Sequence, residues 1–316
     1  MLRIGVADTG LEVTELCHGT LILGRLQADL SPEDGARAIR RSWELGVNFY
    51  DTAKGYRTYP HLALGLAGSA RHEAVIASKS HARTHADMRA DVEECLRELG
   101  LERVSVFHLH LVPSREELAA RRGALECLLE MKQAGLIGAV GASTHTIAGV
   151  RTINAEPAID VLFPVLNQRG LGIIDGDLAG MLPALEESAR LGKFVYAMKP
   201  LAGGHLHKDV EQSLAYLRTL PACHAVAVGM KSEAEVDMNV AIFEERRVTD
   251  EMRRRVAGVE RRLKIYDWCT GCGLCVEECD QQALRLVEGK AVADNDKCIL
   301  CGYCAAVCPD YVIRVV

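Results

Sequence analysis

The stretch SPEDGARAIRRSWELGVNFY, residues 31–50, contains one complete helix signal followed directly by one strand signal. Ser31 is a typical N-cap residue, Pro32 stands at the first helical position, and Gly46 follows the last amphipathic turn. Residues 47–50 then form a short, largely apolar run that favours a buried strand. This stretch predicts a protein in which helices and parallel strands alternate.

The same alternation continues through most of the chain. Strand patterns fall at residues 16–20, 47–50, 75–78, 104–110, 137–141, 161–165, 194–197 and 225–228. Helical patterns lie between or after them, for example at residues 87–99, 122–134, 178–191, 210–217 and 232–243. Eight strands that alternate with helices predict an α/β fold, a (β/α)8 TIM barrel. A doubly wound open sheet is the alternative, but no G-x-G-x-x-G motif follows the first strand.

Composition and charge limit the classes of protein to which the chain can belong. Of its 316 residues, 49% are hydrophobic and 25% are charged, as in globular proteins with a packed core. The sequence has no apolar run of 18 residues and no signal-peptide pattern at its start, so we expect no membrane association. The net charge of −6 argues against a nucleic-acid partner. The cysteine usage favours a reducing compartment, which predicts a cytoplasmic protein.

Eight of the twelve cysteines lie near the end of the sequence, in two runs of identical spacing. Each run reads C-x2-C-x2-C-x3-C, and every cysteine of the second run follows its counterpart by 29 residues. Soft thiolates at this spacing are typical of iron–sulfur clusters. Two zinc sites, each with four thiolate ligands, are the alternative, although zinc ribbons pair two distant C-x2-C motifs and do not use triple runs.

The double run resembles the bacterial two-cluster ferredoxin fold, over residues 267–316. The resemblance implies a small α+β domain with two [4Fe–4S] clusters, in which the fourth cysteine of each run binds the other cluster. The first cluster would then be held by Cys269, Cys272, Cys275 and Cys308. The second would be held by Cys298, Cys301, Cys304 and Cys279. The basic stretch at residues 244–264 is helical in composition, and we expect a barrel domain at 1–264 and an iron–sulfur domain at 265–316.

A second resemblance lies in GVNFYDTAKGY, residues 46–56, where a tyrosine follows an aspartate by five positions. It resembles the pattern of the aldo-keto reductase family. The segments LCHGT, VIASKS, VSVFHLHLV, VGAST, MKPLAGG and VGMKSEAEVDMN match other segments of that family in the same order. The resemblance implies four catalytic residues: Asp51, Tyr56, Lys79 and His110. Tyr59 and His108 are the alternatives to Tyr56 and His110, since each is a near neighbour of the same type.

The chemistry of carbonyl reduction explains why these residue types are needed. The reaction moves a hydride to carbon and a proton to oxygen, and a phenol with a pKa of ~10 is a weak proton donor. The ammonium group of Lys79 would lower the pKa of Tyr56, and Asp51 would hold the lysine in place. His110 would orient the carbonyl and stabilise negative charge that develops on its oxygen.

The resemblance also implies a nicotinamide nucleotide bound in an extended form. Glu235 lies where an arginine often holds the 2′-phosphate, but Lys231 lies close by, so we expect NADP with NAD as the alternative. Phe163 and Met198 stand where many members have a glutamine and an aromatic residue beside the nicotinamide. The implied cofactor-binding residues are Gly19, Thr20, Asp51, Ser143, Met198, Lys199, Leu201, Gly229, Lys231, Ser232, Glu235 and Asn239.

We therefore expect an NAD(P)H-dependent oxidoreductase that reduces a small aldehyde or ketone and carries an iron–sulfur electron-transfer domain. The alternatives are an electron-transfer protein whose barrel is a docking platform, and a ligand-binding barrel without turnover. A hydride carries two electrons and a [4Fe–4S] cluster accepts one, so we do not expect direct relay between them. The iron–sulfur segment from residue 267 has eight acidic and four basic side chains, which favours a basic redox protein as partner.

Overall fold

A computed structural model of the chain describes residues 1–68, 70–257 and 262–315. A hairpin of strands β1 (Arg3–Val6) and β2 (Leu11–Thr14) precedes a closed barrel of eight parallel strands. The barrel strands pair in chain order, and the last pairs with the first to close the barrel. They are β3 (Leu16–Gly19), β4 (Phe49–Asp51), β5 (Val75–Ser80), β6 (Val104–Leu109), β7 (Ile137–Thr144), β8 (Val161–Pro164), β9 (Phe194–Ala197) and β10 (Ala225–Gly229).

Helices surround the barrel in the described part of the chain. They are α1 (Pro32–Glu44), α2 (Tyr59–Gly65), α3 (Ala70–Glu73), α4 (His85–Leu99), α5 (Arg115–Ala120), α6 (Arg122–Gln133), α7 (Ile147–Asn154), α8 (Leu178–Arg190), α9 (Val210–Arg218), α10 (Glu233–Phe243) and α11 (Asp250–Val256). Ser31 caps α1 as predicted, since its hydroxyl accepts a hydrogen bond from the backbone of Asp34. Short 3-10 turns at Leu21–Leu23, Lys54–Tyr56 and Ala202–Gly204 lie in the loops that follow strands β3, β4 and β9.

Two apolar layers hold the barrel together. An outer layer packs the helices against the strands, and an inner layer fills the barrel with side chains such as Phe49, Val106, Phe163 and Tyr196. The hairpin of β1 and β2 adds Val13 to the inner layer and so closes the end at which the strands begin. The opposite end, where the strands finish, is therefore the end that can form a site.

The predicted fold class is confirmed. Each of the eight predicted strands overlaps one strand of the barrel. Helices α2, α3, α5 and α7 were not among the predicted helices, because each has eight residues or fewer and gives only a short apolar pattern. No helix in the described ranges is long and apolar enough to cross a membrane.

The helix predicted over residues 244–264 needs correction. Only Asp250–Val256 is helical, residues 258–261 lie outside the described part, and Leu263–Ile265 forms strand β11. That strand pairs antiparallel with β14 (Ile313–Val315), so its backbone partner lies too far along the sequence for a local pattern to show it. The expected domain boundary at 264/265 falls within β11 and stays a prediction.

The segment that follows is a small α+β unit with an internal repeat. Strands β12 (Leu284–Val287) and β13 (Lys290–Ala293) form a hairpin, and one-turn helices α12 (Leu274–Glu277) and α13 (Tyr303–Ala306) follow the cysteine loops. Residues with positive φ recur 29 positions apart, as in the pair Gly273 and Gly302 and the pair Gln282 and Tyr311. The backbone therefore repeats with the same period as the cysteines.

This small unit, here called the cluster domain, lies on the end of the barrel at which the strands finish. The Gln27 side chain donates to the carbonyl of Leu300 at 3.2 Å, and the Gln281 side chain donates to the carbonyl of Gly172 at 3.3 Å. Nε2 of His205 lies 2.6 Å from the carbonyl oxygen of Cys298. The three barrel positions lie in loops after β3, β8 and β9, so the cluster domain covers the rim from several sides.

Candidate active site and iron–sulfur centres

The four predicted catalytic residues lie together at the covered rim. Asp51 is the last residue of β4, Lys79 lies in β5, and His110 immediately follows β6. Tyr56 ends the 3-10 turn that follows β4. Each of these four side chains is more than nine-tenths buried.

A buried ion pair forms the base of this group. The Lys79 ammonium lies 2.7 and 2.8 Å from the two carboxylate oxygens of Asp51, and it also donates to the Thr52 carbonyl at 2.8 Å. Burial raises the pKa of Asp51 and lowers the pKa of Lys79, and the ion pair opposes both shifts. Because both partners are buried, removing either one would leave an uncompensated charge.

Tyr56, and not Tyr59, is the tyrosine that faces this ion pair. Lys79 Nζ lies 4.8 Å from the centre of the Tyr56 ring. The hydroxyl of Tyr59 instead pairs with Ser78 at 2.8 Å, in the layer between the strands and the helices. The sequence predicts a Tyr56 pKa lowered by Lys79. The structure differs here, because burial raises the pKa of Tyr56, with further contributions from Tyr303 and Asp51.

Of the two histidines, His110 is the one whose ring contacts Tyr56. The Tyr56 and His110 rings meet edge to face with centroids 6.0 Å apart, and His81 stacks on His110 at 4.1 Å. Burial, and then the neighbours His81 and Lys79, lower the pKa of His110 well below its usual range. A neutral imidazole at this place can donate a hydrogen bond to a carbonyl oxygen without carrying charge.

His108 belongs to a second set of contacts that the sequence analysis missed. Tyr196 donates to Asp51 Oδ2 at 3.0 Å, and its hydroxyl lies 2.8 Å from Nε2 of His108. The Tyr196 ring stacks on Phe163 at 4.0 Å and 12°. This arrangement gives Phe163 a packing role at the place where many relatives have a glutamine. The sequence signal that could have identified Tyr196 is its position in strand β9, at which the side chain faces the inside of the barrel.

Tyr303 of the cluster domain also reaches this site, and nothing in the sequence predicted it. Its hydroxyl lies 3.3 Å from Nε2 of His110, and its ring packs against the cluster of Leu26, Ala53 and Tyr56. Tyr303 stands between two predicted cluster ligands, in the segment Cys301–Gly302–Tyr303–Cys304. The cysteine loop and the catalytic group are therefore in direct contact.

The predicted cofactor-binding residues lie at the same end of the barrel. Thr20 follows β3 and donates to the Asp51 carbonyl at 3.0 Å, and Ser143 accepts from the backbone of Leu111 at 2.9 Å. The others lie at the ends of, or just after, strands β3, β9 and β10, and on helix α10: Gly19, Met198, Lys199, Leu201, Gly229, Lys231, Ser232, Glu235 and Asn239.

Helix α10 gives Glu235 a structural role that its sequence pattern could have shown. Ser232 caps the helix by accepting from the Glu235 backbone at 3.2 Å, and the Glu235 carboxylate accepts from the Lys231 backbone at 2.6 Å. The segment S-x-x-E at 232–235 is the corresponding capping-box signal. On the same helix, the buried Oδ1 of Asn239 has no hydrogen-bonding partner within the described residues, which fits a site for a polar ligand.

The cysteines of the cluster domain surround two separate cavities. One is lined by Cys279, Cys298, Cys301 and Cys304, and the other by Cys269, Cys272, Cys275 and Cys308. These are the two ligand sets that the resemblance implied. No three His, Cys, Asp or Glu side chains in the described ranges converge on a point as they would around a single ion. Thiols arranged around a cavity fit a cluster of several atoms, and backbone amides of Ala283 and Ala291 donate to Cys279 and Cys269 sulfurs at 3.4 Å.

Comparison with known proteins finds relatives of both the barrel and the cluster domain. Residues 15–218, more than half of the chain, match the Aldo/keto reductase family, and residues 268–314 match the 4Fe-4S dicluster domain. The L-galactose dehydrogenase of Arabidopsis thaliana is 24% identical over 84% of this chain and 96% of its own length. A component of the ion-translocating oxidoreductase complex of Methanosarcina acetivorans is 43% identical over 47 residues, which are 15% of this chain and 18% of that protein.

A solved structure extends the agreement to three dimensions. A crystal structure of a putative aldo-keto reductase from Pseudomonas aeruginosa matches with a TM-score of 0.66 and 26% identity, over 77% of this chain and 94% of that protein. The match of fold, family model and relatives identifies the barrel. The chain is an oxidoreductase that belongs to the aldo/keto reductase family, with a 4Fe-4S dicluster domain after its barrel.

Proposed function

We propose that the barrel reduces an aldehyde or ketone with NAD(P)H, using Asp51, Tyr56, Lys79 and His110. The observation that carries this proposal is the contact between the Asp51–Lys79 ion pair, at 2.7 Å, and the Tyr56 ring, 4.8 Å from the ammonium. A tyrosine, a lysine and a neutral histidine in one buried group provide a proton donor and a hydrogen-bond donor for a carbonyl oxygen.

Each residue then has a distinct role. Tyr56 gives its proton to the carbonyl oxygen, and the neutral His110 holds that oxygen by a hydrogen bond. Lys79 supports negative charge on the Tyr56 oxygen as the proton leaves, and Asp51 fixes the lysine. Tyr196 anchors the second oxygen of Asp51, so the ion pair keeps its orientation.

A nicotinamide nucleotide supplies the hydride when it is bound. Residues at the ends of β3, β7, β9 and β10 and on α10 would hold it, and the unpartnered Oδ1 of Asn239 supports a polar ligand at the last of these. The Glu235 carboxylate accepts a hydrogen bond from the Lys231 backbone, and the Lys231 ammonium is the nearby positive charge that would attract a 2′-phosphate. We propose NADP as the cofactor, with NAD as the alternative.

The substrate is a small carbonyl compound in this proposal. The cluster domain covers the end of the barrel above Tyr56 and His110 and limits the space there. This favours a substrate with a short carbon chain. The match to a protein named L-galactose dehydrogenase makes polyhydroxylated aldehydes and their cyclic forms the first class to test.

The cluster domain, proposed as residues 265–316, would hold two [4Fe–4S] clusters on the two sets of four cysteines. Its excess of acidic side chains supports a basic redox protein as the external partner. A reducing, cytoplasmic compartment is part of the proposal, because cysteines gathered in metal-binding runs are more typical of such a compartment than of a secreted protein. One observation favours electron transfer as a second candidate function: the cavity of the second cysteine set adjoins the catalytic group through Tyr303.

The proposal is tested with anaerobically purified protein. Iron and sulfide analysis should give about eight of each per chain, from two four-iron clusters. NADPH and NADH consumption is then followed with aldoses, simple aldehydes and ketones. Nucleotide consumption that depends on the carbonyl compound supports the barrel chemistry, and consumption only with a one-electron acceptor supports the second candidate. Stoichiometric zinc without iron would overturn the cluster assignment alone.

A further inference from the structure

One residue of the barrel lines the cavity of the second cysteine set. His145 follows strand β7, and it shares that cavity with Cys279, Cys298, Cys301 and Cys304. The residue is 5% exposed, so most of it is shielded from bulk water. The barrel therefore supplies part of the wall of a cavity whose thiols all come from the cluster domain.

His18 bonds Ser42 and the Met230 carbonyl, and His61 bonds the Leu30 carbonyl. The rings of His108 and His110 bond Tyr196 and Tyr303. Nδ1 has no partner among the described residues in His61, His108, His110 and His145 alike. The first three rings bond through Nε2 instead, whereas neither ring nitrogen of His145 has a hydrogen bond to a described residue.

A buried imidazole without a partner destabilises the fold unless an atom in the cavity accepts a hydrogen bond from its N–H group. A neutral imidazole has one N–H group, and a buried donor without an acceptor is destabilising. The Asn239 amide likewise has a buried atom unpaired within the described ranges, in a part of the barrel expected to bind ligand. In the His145 cavity, the acceptors that an iron–sulfur cluster would bring are its sulfur atoms.

We propose that His145 donates an N–H hydrogen bond to a sulfur of the second cluster and thereby raises the reduction potential of that cluster. The direction follows from charge, because reduction makes the cluster more negative and a hydrogen-bond donor stabilises the reduced form. His145 is thus a positioning and tuning residue. The inference rests on the cluster assignment and is independent of the carbonyl chemistry.

The test is a potentiometric titration of the anaerobic holoprotein, followed by electron paramagnetic resonance. The two clusters should give two one-electron waves, and the first cluster serves as an internal control. His145→Phe fills the same region without a donor, whereas His145→Gln retains an N–H group. His207→Ala is the matched control, because His207 lies exposed on the same rim and bonds only its local turn at Gly204.

The expected result is that His145→Phe shifts one wave to a more negative potential and leaves the other in place. His145→Gln should restore at least part of the shift, and His207→Ala should match the wild type. Waves that do not move in His145→Phe would overturn the proposal, as would equal shifts in the Phe and Gln variants. Loss of half the iron in both variants would also overturn it, because the residue would then act as a ligand or in assembly.

Discussion

The hydroxyl group of Tyr303 lies 3.3 Å from Nε2 of His110, across the boundary between the cluster domain and the barrel. His110 is the residue proposed to hold the substrate oxygen, so the Tyr303 hydroxyl occupies a hydrogen-bonding position that a carbonyl would need. The same tyrosine is flanked by Cys301 and Cys304 of the second cysteine set. We therefore expect binding of a carbonyl substrate and docking of the cysteine loop to be linked.

The first prediction concerns this contact. In Tyr303→Phe the hydrogen bond to His110 is lost, and such a bond is worth about 0.5–1.5 kcal/mol. We expect KM for the carbonyl substrate to fall about 2- to 10-fold with kcat little changed, because the substrate no longer displaces a hydroxyl. Steady-state kinetics measure both constants. Tyr311→Phe is the control, since Tyr311 is 75% exposed. An unchanged or raised KM in Tyr303→Phe would contradict the linkage.

The second prediction concerns the docking of the cluster domain. Gly302 has a φ of 83°, and a Cβ atom there would collide with the carbonyl of Leu26. Gly289 has a φ of 74° with open space around it, so Gly289→Ala carries the backbone strain without the collision. We expect Gly302→Ala to increase hydrogen exchange in the rim loop around Leu26, and Gly289→Ala to leave it unchanged. Equal exchange in the two variants would show that the contact does not hold the domains together.

The third prediction concerns pH. Burial raises the pKa of Tyr56 above its usual value of ~10, so the phenol stays protonated through the neutral range. Carbonyl reduction uses the protonated form, and kcat for reduction should be flat between about pH 6 and 9. Alcohol oxidation needs the phenolate, so its rate should rise about tenfold per pH unit over the same range. Paired pH profiles in both directions test this, and a reduction rate that halves near pH 7 would contradict it.

Much of the barrel could be predicted from the sequence because its signals are local. Each strand is a short apolar run, and the Ser31 cap and the strand limits at 194–197 lie where the pattern places them. The cysteine spacing likewise indicated two sets of four cysteines, because a repeat of 29 residues can be recognised in the sequence without knowledge of the fold. The choice between Tyr56 and Tyr59 needed the structure, since both follow strand β4 at similar distances.

The contacts between the two domains could not be predicted. Tyr303 and His110 are 193 positions apart, and His145 lines a cavity whose cysteines begin at position 279. No periodicity connects such positions, since the packing of one domain on another depends on loop shapes. The raised pKa of Tyr56 comes from its burial and from the neighbouring Tyr303 of the cluster domain, and the sequence shows neither.

The fourth prediction concerns electron flow between the nicotinamide and the clusters. NADPH alone should leave the cluster absorbance unbleached, because a hydride moves two electrons together and each cluster accepts one. The cysteine loop contacts the catalytic group through Tyr303, so the prediction rests on this mismatch in electron number and not on separation of the two domains. Anaerobic stopped-flow absorbance measures this directly. Rapid bleaching that is lost when Lys231 is replaced would make the protein an electron bridge.

The central claim is that Tyr56 is the proton donor of a carbonyl reduction, and one comparison tests it most directly. Carbonyl-dependent NADPH oxidation is measured for the wild type, Tyr56→Phe and Tyr59→Phe, with nucleotide binding measured by fluorescence quenching. Tyr59→Phe is the matched control, because its hydroxyl pairs with Ser78 away from the ion pair. The account predicts that Tyr56→Phe binds NADPH normally and loses activity by ~10²–10⁴-fold, while Tyr59→Phe stays active. Full activity in Tyr56→Phe, with loss in Tyr59→Phe, would contradict it.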